Sequence, residues 1–157
     1  MTDASTELKP AVHSTFRIER LYKASPARVF RALSNTEARR RWLVEGEGFE
    51  VLGYEIDFRV GGREVSRFRF GQSPEIVNET TFQDIVPDAR IIYCYRMTMG
   101  GAPMSASLTT IELLAEGEGA LLVQTEQGAY LDGLDDGTGR EEGCRLLLEA
   151  LAKEVEG

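Results

Sequence analysis

The chain is poor in the residues from which most catalytic and metal sites are built. It has one histidine, two cysteines and one tryptophan among 157 residues. The histidine, His13, falls in a polar N-terminal stretch, which argues against a catalytic triad, a histidine-rich metal site or an imidazole general base. Cys94 and Cys144 are too few for a disulfide framework and lack the spacing of zinc ligands, so both are expected to be reduced and packed. No apolar run reaches the length of a signal core or a membrane span, and a cytoplasmic location is expected. An excess of positive charge is missing too. The net charge is −8, of which residues 111–157 carry −9 and the rest +1. An acidic chain disfavours nucleic acid and anionic membrane surfaces as partners. Arg39-Arg40-Arg41 forms a short basic run and is expected to be a solvated helix face. No metal or cofactor is expected.

What is present is strongly patterned. Between Arg140 and Glu156, Cys144, Leu147, Leu148, Leu151 and Val155 recur at helical period and make one apolar stripe. Seventeen residues at about 1.5 Å each predict a helix of roughly 25 Å, long enough to need an extended apolar surface opposite it. Most of the chain upstream reads as strands. Phe16, Ile18 and Tyr22 alternate with charged residues. Ser25-Pro26 predicts a helix start, with Ser as cap and Pro in the first turn, and Asn35 predicts a second short helix through Leu43. Alternation then predicts strands over 54–59, 63–70, 80–86, 91–99, 105–114 and 120–126. Gly61-Gly62 is predicted to be a two-residue hairpin turn, where glycine supplies positive φ. Residues 71–78 and 127–139 are expected to be loops. Strands joined by short turns are antiparallel neighbours, and helices kept apart from strands give an α+β layout. A disordered tail over residues 1–14 and a single domain over 15–157 are expected.

Several short stretches, in order, resemble one family. They are Pro26-Ala27-Arg28-Val29-Phe30, Arg41-Trp42, and Asp57-Phe58-Arg59-Val60-Gly61-Gly62-Arg63. Further on come Asp84-Ile85-Val86-Pro87 with Arg90-Ile91, Thr125-Glu126-Gln127-Gly128, and Arg140-Glu141-Glu142-Gly143. The chain resembles the START-like (SRPBCC) superfamily, in the branch named for the activator of the heat-shock protein ninety ATPase, as a bacterial single-domain member. The resemblance implies a helix-grip (Bet v-like) fold. In that fold a curved antiparallel sheet of about seven strands wraps a long C-terminal helix, and two short helices follow the first strand. It also implies a cavity between sheet and helix, used in relatives for lipids, sterols, polyketides or plant hormones. The named activator is larger and carries this domain at its C-terminal end, which weakens an activator role for a chain of this length. Relatives commonly place Trp after the glycine that matches Gly143; here Cys144 leaves more room.

Trp42, Tyr54, Phe58, Phe68, Tyr95, Met97, Tyr130 and Leu147 are candidate liners of such a cavity, although alternation alone cannot separate liners from core. Glu126 continues the phase of Leu122 and Gln124 at a predicted strand end, and is expected to be a polar anchor at the cavity mouth. Cys144 has two readings. One is a nucleophile near a helix N-terminus; the other, which its place on the stripe favours, is a small packed hydrophobe. Asp132, Asp135 and Asp136 do not match a calcium loop and are expected to cap the last helix, with Arg140 paired to an acid of the same loop. Three functional readings stand side by side. They are a domain holding a largely apolar small molecule, a cyclase- or hydrolase-type enzyme using cavity carboxylates, and a chaperone-associated protein. A homodimer is compatible with all three.

Overall fold

The computed structural model describes residues 9–46 and 48–157. Strand β1 (Val12–Tyr22) is followed by helices α1 (Pro26–Ser34) and α2 (Thr36–Arg39), and α2 runs on into a π-helical turn over Arg40–Val44. Six strands come next: β2 (Glu50–Ile56), β3 (Arg63–Arg69), β4 (Ile76–Val86), β5 (Arg90–Met99), β6 (Ala102–Glu116) and β7 (Gly119–Tyr130). Helix α3 (Thr138–Glu156) closes the chain. The strands form one antiparallel sheet in the order β1-β7-β6-β5-β4-β3-β2. The first strand is thus brought beside the last, as the α+β helix-grip expectation requires.

Local chemistry explains the helix starts. Ser25 Oγ accepts from the Arg28 amide at 3.2 Å, with Pro26 in the first turn. Asn35 serves two helices. Its amide bonds the Arg31 carbonyl at 2.8 Å to end α1, and its side chain accepts from the Ala38 amide at 3.0 Å to begin α2. Asp135 and Asp136 accept from the amides of Gly137 and Thr138 at 2.9 and 3.0 Å and so shape the turn into α3, but the N-cap itself is Gly137, without the acidic side-chain cap expected.

Along α3, Cys144, Leu148, Leu151, Ala152 and Val155 are buried in one cluster with Phe16, Ile18, Tyr22, Leu33, Phe82, Ile111 and Leu122. Polar ties hold the helix on its seat. The Tyr22 hydroxyl donates to the Leu148 carbonyl at 2.8 Å, and Arg20 pairs with Glu149 at 2.7 Å. No helix among the described residues is long and apolar enough to cross a membrane.

Several boundaries differ from expectation. Strand β1 begins at Val12, so 12–14 and His13 belong to the sheet rather than to a tail; residues 1–8 lie outside the described residues. Strand β2 spans 50–56 rather than 54–59, and β4 starts at Ile76. Strand β7 continues to Tyr130, which shortens the expected loop at 127–139. A Cβ on Gly128 would stand 2.6 Å from the Tyr130 hydroxyl. The missing side chain makes room for that ring.

The connection between β2 and β3 is also not a two-residue turn. It spans residues 57–62, with the Gly62 amide bonded to the Arg59 carbonyl at 2.8 Å and Gly61 and Gly62 both bonded to Phe82 of β4. Gly61 has the expected positive φ, +82°. Gly62 is glycine for another reason: a Cβ would lie 2.1 Å from the Asp57 carbonyl oxygen.

Candidate ligand-binding cavity

A cavity of about 340 Å³ lies between the sheet and the layer formed by α2, the π-helical turn and α3. Its walls follow from strand period. In β5, Tyr93, Tyr95 and Met97 share the inward face, and in β7 Gln124 and Glu126 do. Phe68 enters from β3, Trp42 from the π-helical turn, and Cys144 and Leu147 from α3. At the mouth, Phe49, Phe68 and Phe70 pack as an aromatic triangle with centroids 5.6–5.7 Å apart, and Phe70 is 49% exposed.

Of the residues expected from the sequence, Trp42, Phe68, Tyr95, Met97, Glu126, Cys144 and Leu147 line this space. Three do not. Phe58 packs edge-on between Phe30 and Phe82, at 6.1 and 4.9 Å. Tyr54 donates to Glu64 Oε2 at 2.6 Å from behind the wall. Tyr130 is buried under the start of α3, with the Arg140 guanidinium 5.3 Å from its ring centre.

Glu126 is not at the mouth. Because β7 runs to Tyr130, Glu126 sits mid-strand and is 1% exposed. Its Oε2 accepts from the Tyr95 hydroxyl at 2.6 Å; its Oε1 accepts from Thr109 at 3.0 Å and Gln124 at 3.3 Å. Arg140 Nη1 in turn donates to the Tyr95 oxygen at 2.9 Å, and its Nη2 bonds Ser105 at 3.2 Å and contacts Asp135. The expected pairing of Arg140 with a loop acid is therefore present, and it extends through Tyr95 to the buried carboxylate. Burial and the nearby Glu126 charge raise the Tyr95 pKa well above that of a free phenol. The same two causes push the Cys144 thiol up to about 12. Thiolate, not thiol, is the nucleophile, so Cys144 is a packed group here. Cys94 departs from expectation and is exposed on the outer face of β5.

A second polar cluster was not legible as a site. Arg39 is 6% exposed, not part of a solvated face, and grips Glu64 with two bonds of 2.8 and 2.9 Å. Its third nitrogen donates to the Leu33 carbonyl at 2.7 Å, and its guanidinium lies 5.6 Å from the Trp42 ring centre. Burial works against the Arg39 charge, but the Glu64 carboxylate outweighs it and holds the arginine pKa above its usual value. A signal was available, since Glu64 shares the inward phase of Phe68, and Arg39 lies one turn before Trp42. Tyr93 was likewise in phase with Tyr95.

A curved seven-stranded antiparallel sheet, two short helices after its first strand and a long C-terminal helix across its inner face define a START-like helix-grip protein. The chain belongs to the family described as activator of Hsp90 ATPase homolog 1-like protein, whose pattern it matches over residues 23–156. It is 55% identical to a Rhizobium loti protein of known crystal structure, with a TM-score of 0.86, covering 93% of this chain and 99% of that one. An uncharacterised Rhizobium leguminosarum protein is 41% identical, with a TM-score of 0.91 over 96% of this chain and 99% of that one. An AHSA1-like protein from Aeromonas hydrophila, 18% identical with a TM-score of 0.67 over 91% and 92% of the two chains, shares the fold. No curated protein matches the chain.

Proposed function

We propose that this protein holds a small, largely apolar molecule in the cavity between sheet and α3. The observation that carries this reading is the cavity itself, about 340 Å³ with mainly apolar walls around a compact polar cluster. That volume falls in the range of roughly 300–1,000 Å³ typical of small-molecule sites, where a few placed polar groups set orientation. Leu147 and Met97 supply apolar contact, and the Tyr95–Glu126 pair supplies polarity. Both cysteines are free thiols, which suits a cytoplasmic protein. An enzyme working through Cys144 is disfavoured by the high thiol pKa. A chaperone-associated role draws on the family description alone.

Native mass spectrometry of freshly purified protein is the direct test, with a bound small molecule expected as a mass excess lost on denaturation. Uptake of 1-N-phenylnaphthylamine, an apolar fluorescent probe, provides a second readout. Cys144→Trp should fill the space and reduce that uptake. No bound mass together with no probe uptake by the wild type would overturn the proposal.

A further inference from the structure

The charged groups around the cavity are all held by the protein. Arg39 is committed to Glu64, Arg140 to Asp135 and Tyr95, and Arg67, at the mouth, to Glu75 at 2.9 Å. Glu126 is held by neutral donors and has no arginine of its own. A ligand carboxylate entering here would meet Glu126 and Glu64 and find every lining arginine already paired. Like charges in a space shielded from water repel strongly.

Tyr93 is different. It lies on the cavity wall between Phe82 and Tyr95, with ring centres 6.2 and 6.0 Å away. Among the described residues none hydrogen-bonds its hydroxyl, and that hydroxyl is not sealed from solvent. The hydroxyl therefore opens to the cavity. It lies within electrostatic reach of Glu126 and Cys144 on one side and of Arg39 and Glu64 on the other. Burial first, and then the Glu126 charge, raise its pKa, so the phenol keeps its proton and stays a donor.

We infer that the Tyr93 hydroxyl is the donor that orients the ligand, and that the ligand is uncharged: an apolar molecule carrying a carbonyl or hydroxyl oxygen, not a fatty acid or another carboxylate. This rests on the cavity being a ligand site. A neutral oxygen placed against Tyr93 satisfies the open hydroxyl and leaves the surrounding ion pairs intact. The remaining walls, Trp42, Phe68, Met97 and Leu147, suit an apolar body.

Three fluorescent probes of similar bulk separate the terms. Prodan is a neutral ketone, 1-N-phenylnaphthylamine has no oxygen, and cis-parinaric acid is a carboxylate. Wild type should bind prodan at least tenfold tighter than cis-parinaric acid. Tyr93→Phe, which keeps the ring, should weaken prodan about 3- to 10-fold, the worth of one net hydrogen bond, and leave phenylnaphthylamine within twofold. Glu126→Gln should recover binding of cis-parinaric acid, independently of how Tyr93→Phe folds. Cis-parinaric acid binding wild type as tightly as prodan would overturn the ligand class. Equal effects of Tyr93→Phe on prodan and phenylnaphthylamine would overturn the role of the hydroxyl, while uptake of phenylnaphthylamine would still support a binding cavity. A wild type that takes up none of the three defeats the binding reading, and this inference with it.

Discussion

Arg39 and Glu64 meet through two parallel hydrogen bonds of 2.8 and 2.9 Å, both residues 6% exposed, and so lock the end of α2 to strand β3. Paired geometry of this kind offsets the cost of burying two charges, but removing one partner leaves the other uncompensated. Arg39→Met and Glu64→Gln should each destabilise the protein by about 3–5 kcal/mol in urea unfolding. The double variant Arg39→Met/Glu64→Gln should cost less than the two singles together. Additive losses would mean that the pair does not act as a unit.

The two glycines of the β2–β3 connection should respond differently. Gly61 has φ of +82° and nothing within 4 Å of a Cβ, so its requirement is conformational. Gly61→Ala should cost about 1–2 kcal/mol, and Gly61→Asn less, because Asn tolerates the left-handed region. Gly62 is instead excluded by the Asp57 carbonyl, so Gly62→Asn should be no milder than Gly62→Ala, and both should cost more than Gly61→Ala. Thermal unfolding of the four variants gives the ranking.

The two thiols should be kinetically distinct. Cys94 is exposed, whereas Cys144 is buried with its thiol pushed up to about 12 by burial and Glu126. With a thiol-disulfide reagent at pH 8, native protein should show one fast equivalent, and a second only on unfolding. Cys94→Ser should abolish the fast phase. Rapid reaction of the remaining thiol would show that Cys144 is activated rather than packed.

Stability should fall in acid partly through α3. Glu154 and Glu149 have pKa values lowered by hydrogen bonds to Arg41 and Arg20. A carboxylate held below its unfolded value stabilises the fold above that value, roughly 4.3, and loses the effect as pH falls through the folded pKa. Arg41→Ala and Arg20→Ala should therefore lower stability slightly at pH 7 and make its decline between about pH 5 and pH 3 shallower. Each pair has one exposed and one half-buried partner, so salt should shrink the difference. Urea midpoints measured from pH 3 to 7 at low and high salt check this. An unchanged slope in both variants would assign the acid sensitivity elsewhere.

Period and punctuation carried much of the fold. Phe16, Ile18 and Tyr22 are buried on one face of β1, and the stripe from Cys144 to Val155 faces the core, because alternation and helical spacing are local properties of the chain. The starts of α1 and α2 were equally readable, since Ser25 and Asn35 act within three residues of themselves. Seven of the ten residues expected at the site line the cavity, because each lies on the inward phase of its element.

Tertiary structure alone decided which inward residues meet. Arg39 reaches Glu64 across 25 positions, and Tyr95 reaches Glu126 across 31. Both distances are set by strand register and by the seating of the short helices, neither of which leaves a local trace. Residues 127–130 read as loop but extend β7, where Gly128 leaves room for the Tyr130 ring, and the Arg39–Arg41 run reads as solvated, yet α2 turns its first arginine inward. Phe58 shows the converse. It has the right phase and the right chemistry, but Phe30 and Phe82 close around it, and the same apolar side chain that could have lined a ligand space became core. An apolar face is encoded by its own strand, whereas a cavity exists only where the opposing layer stands far enough away not to fill it.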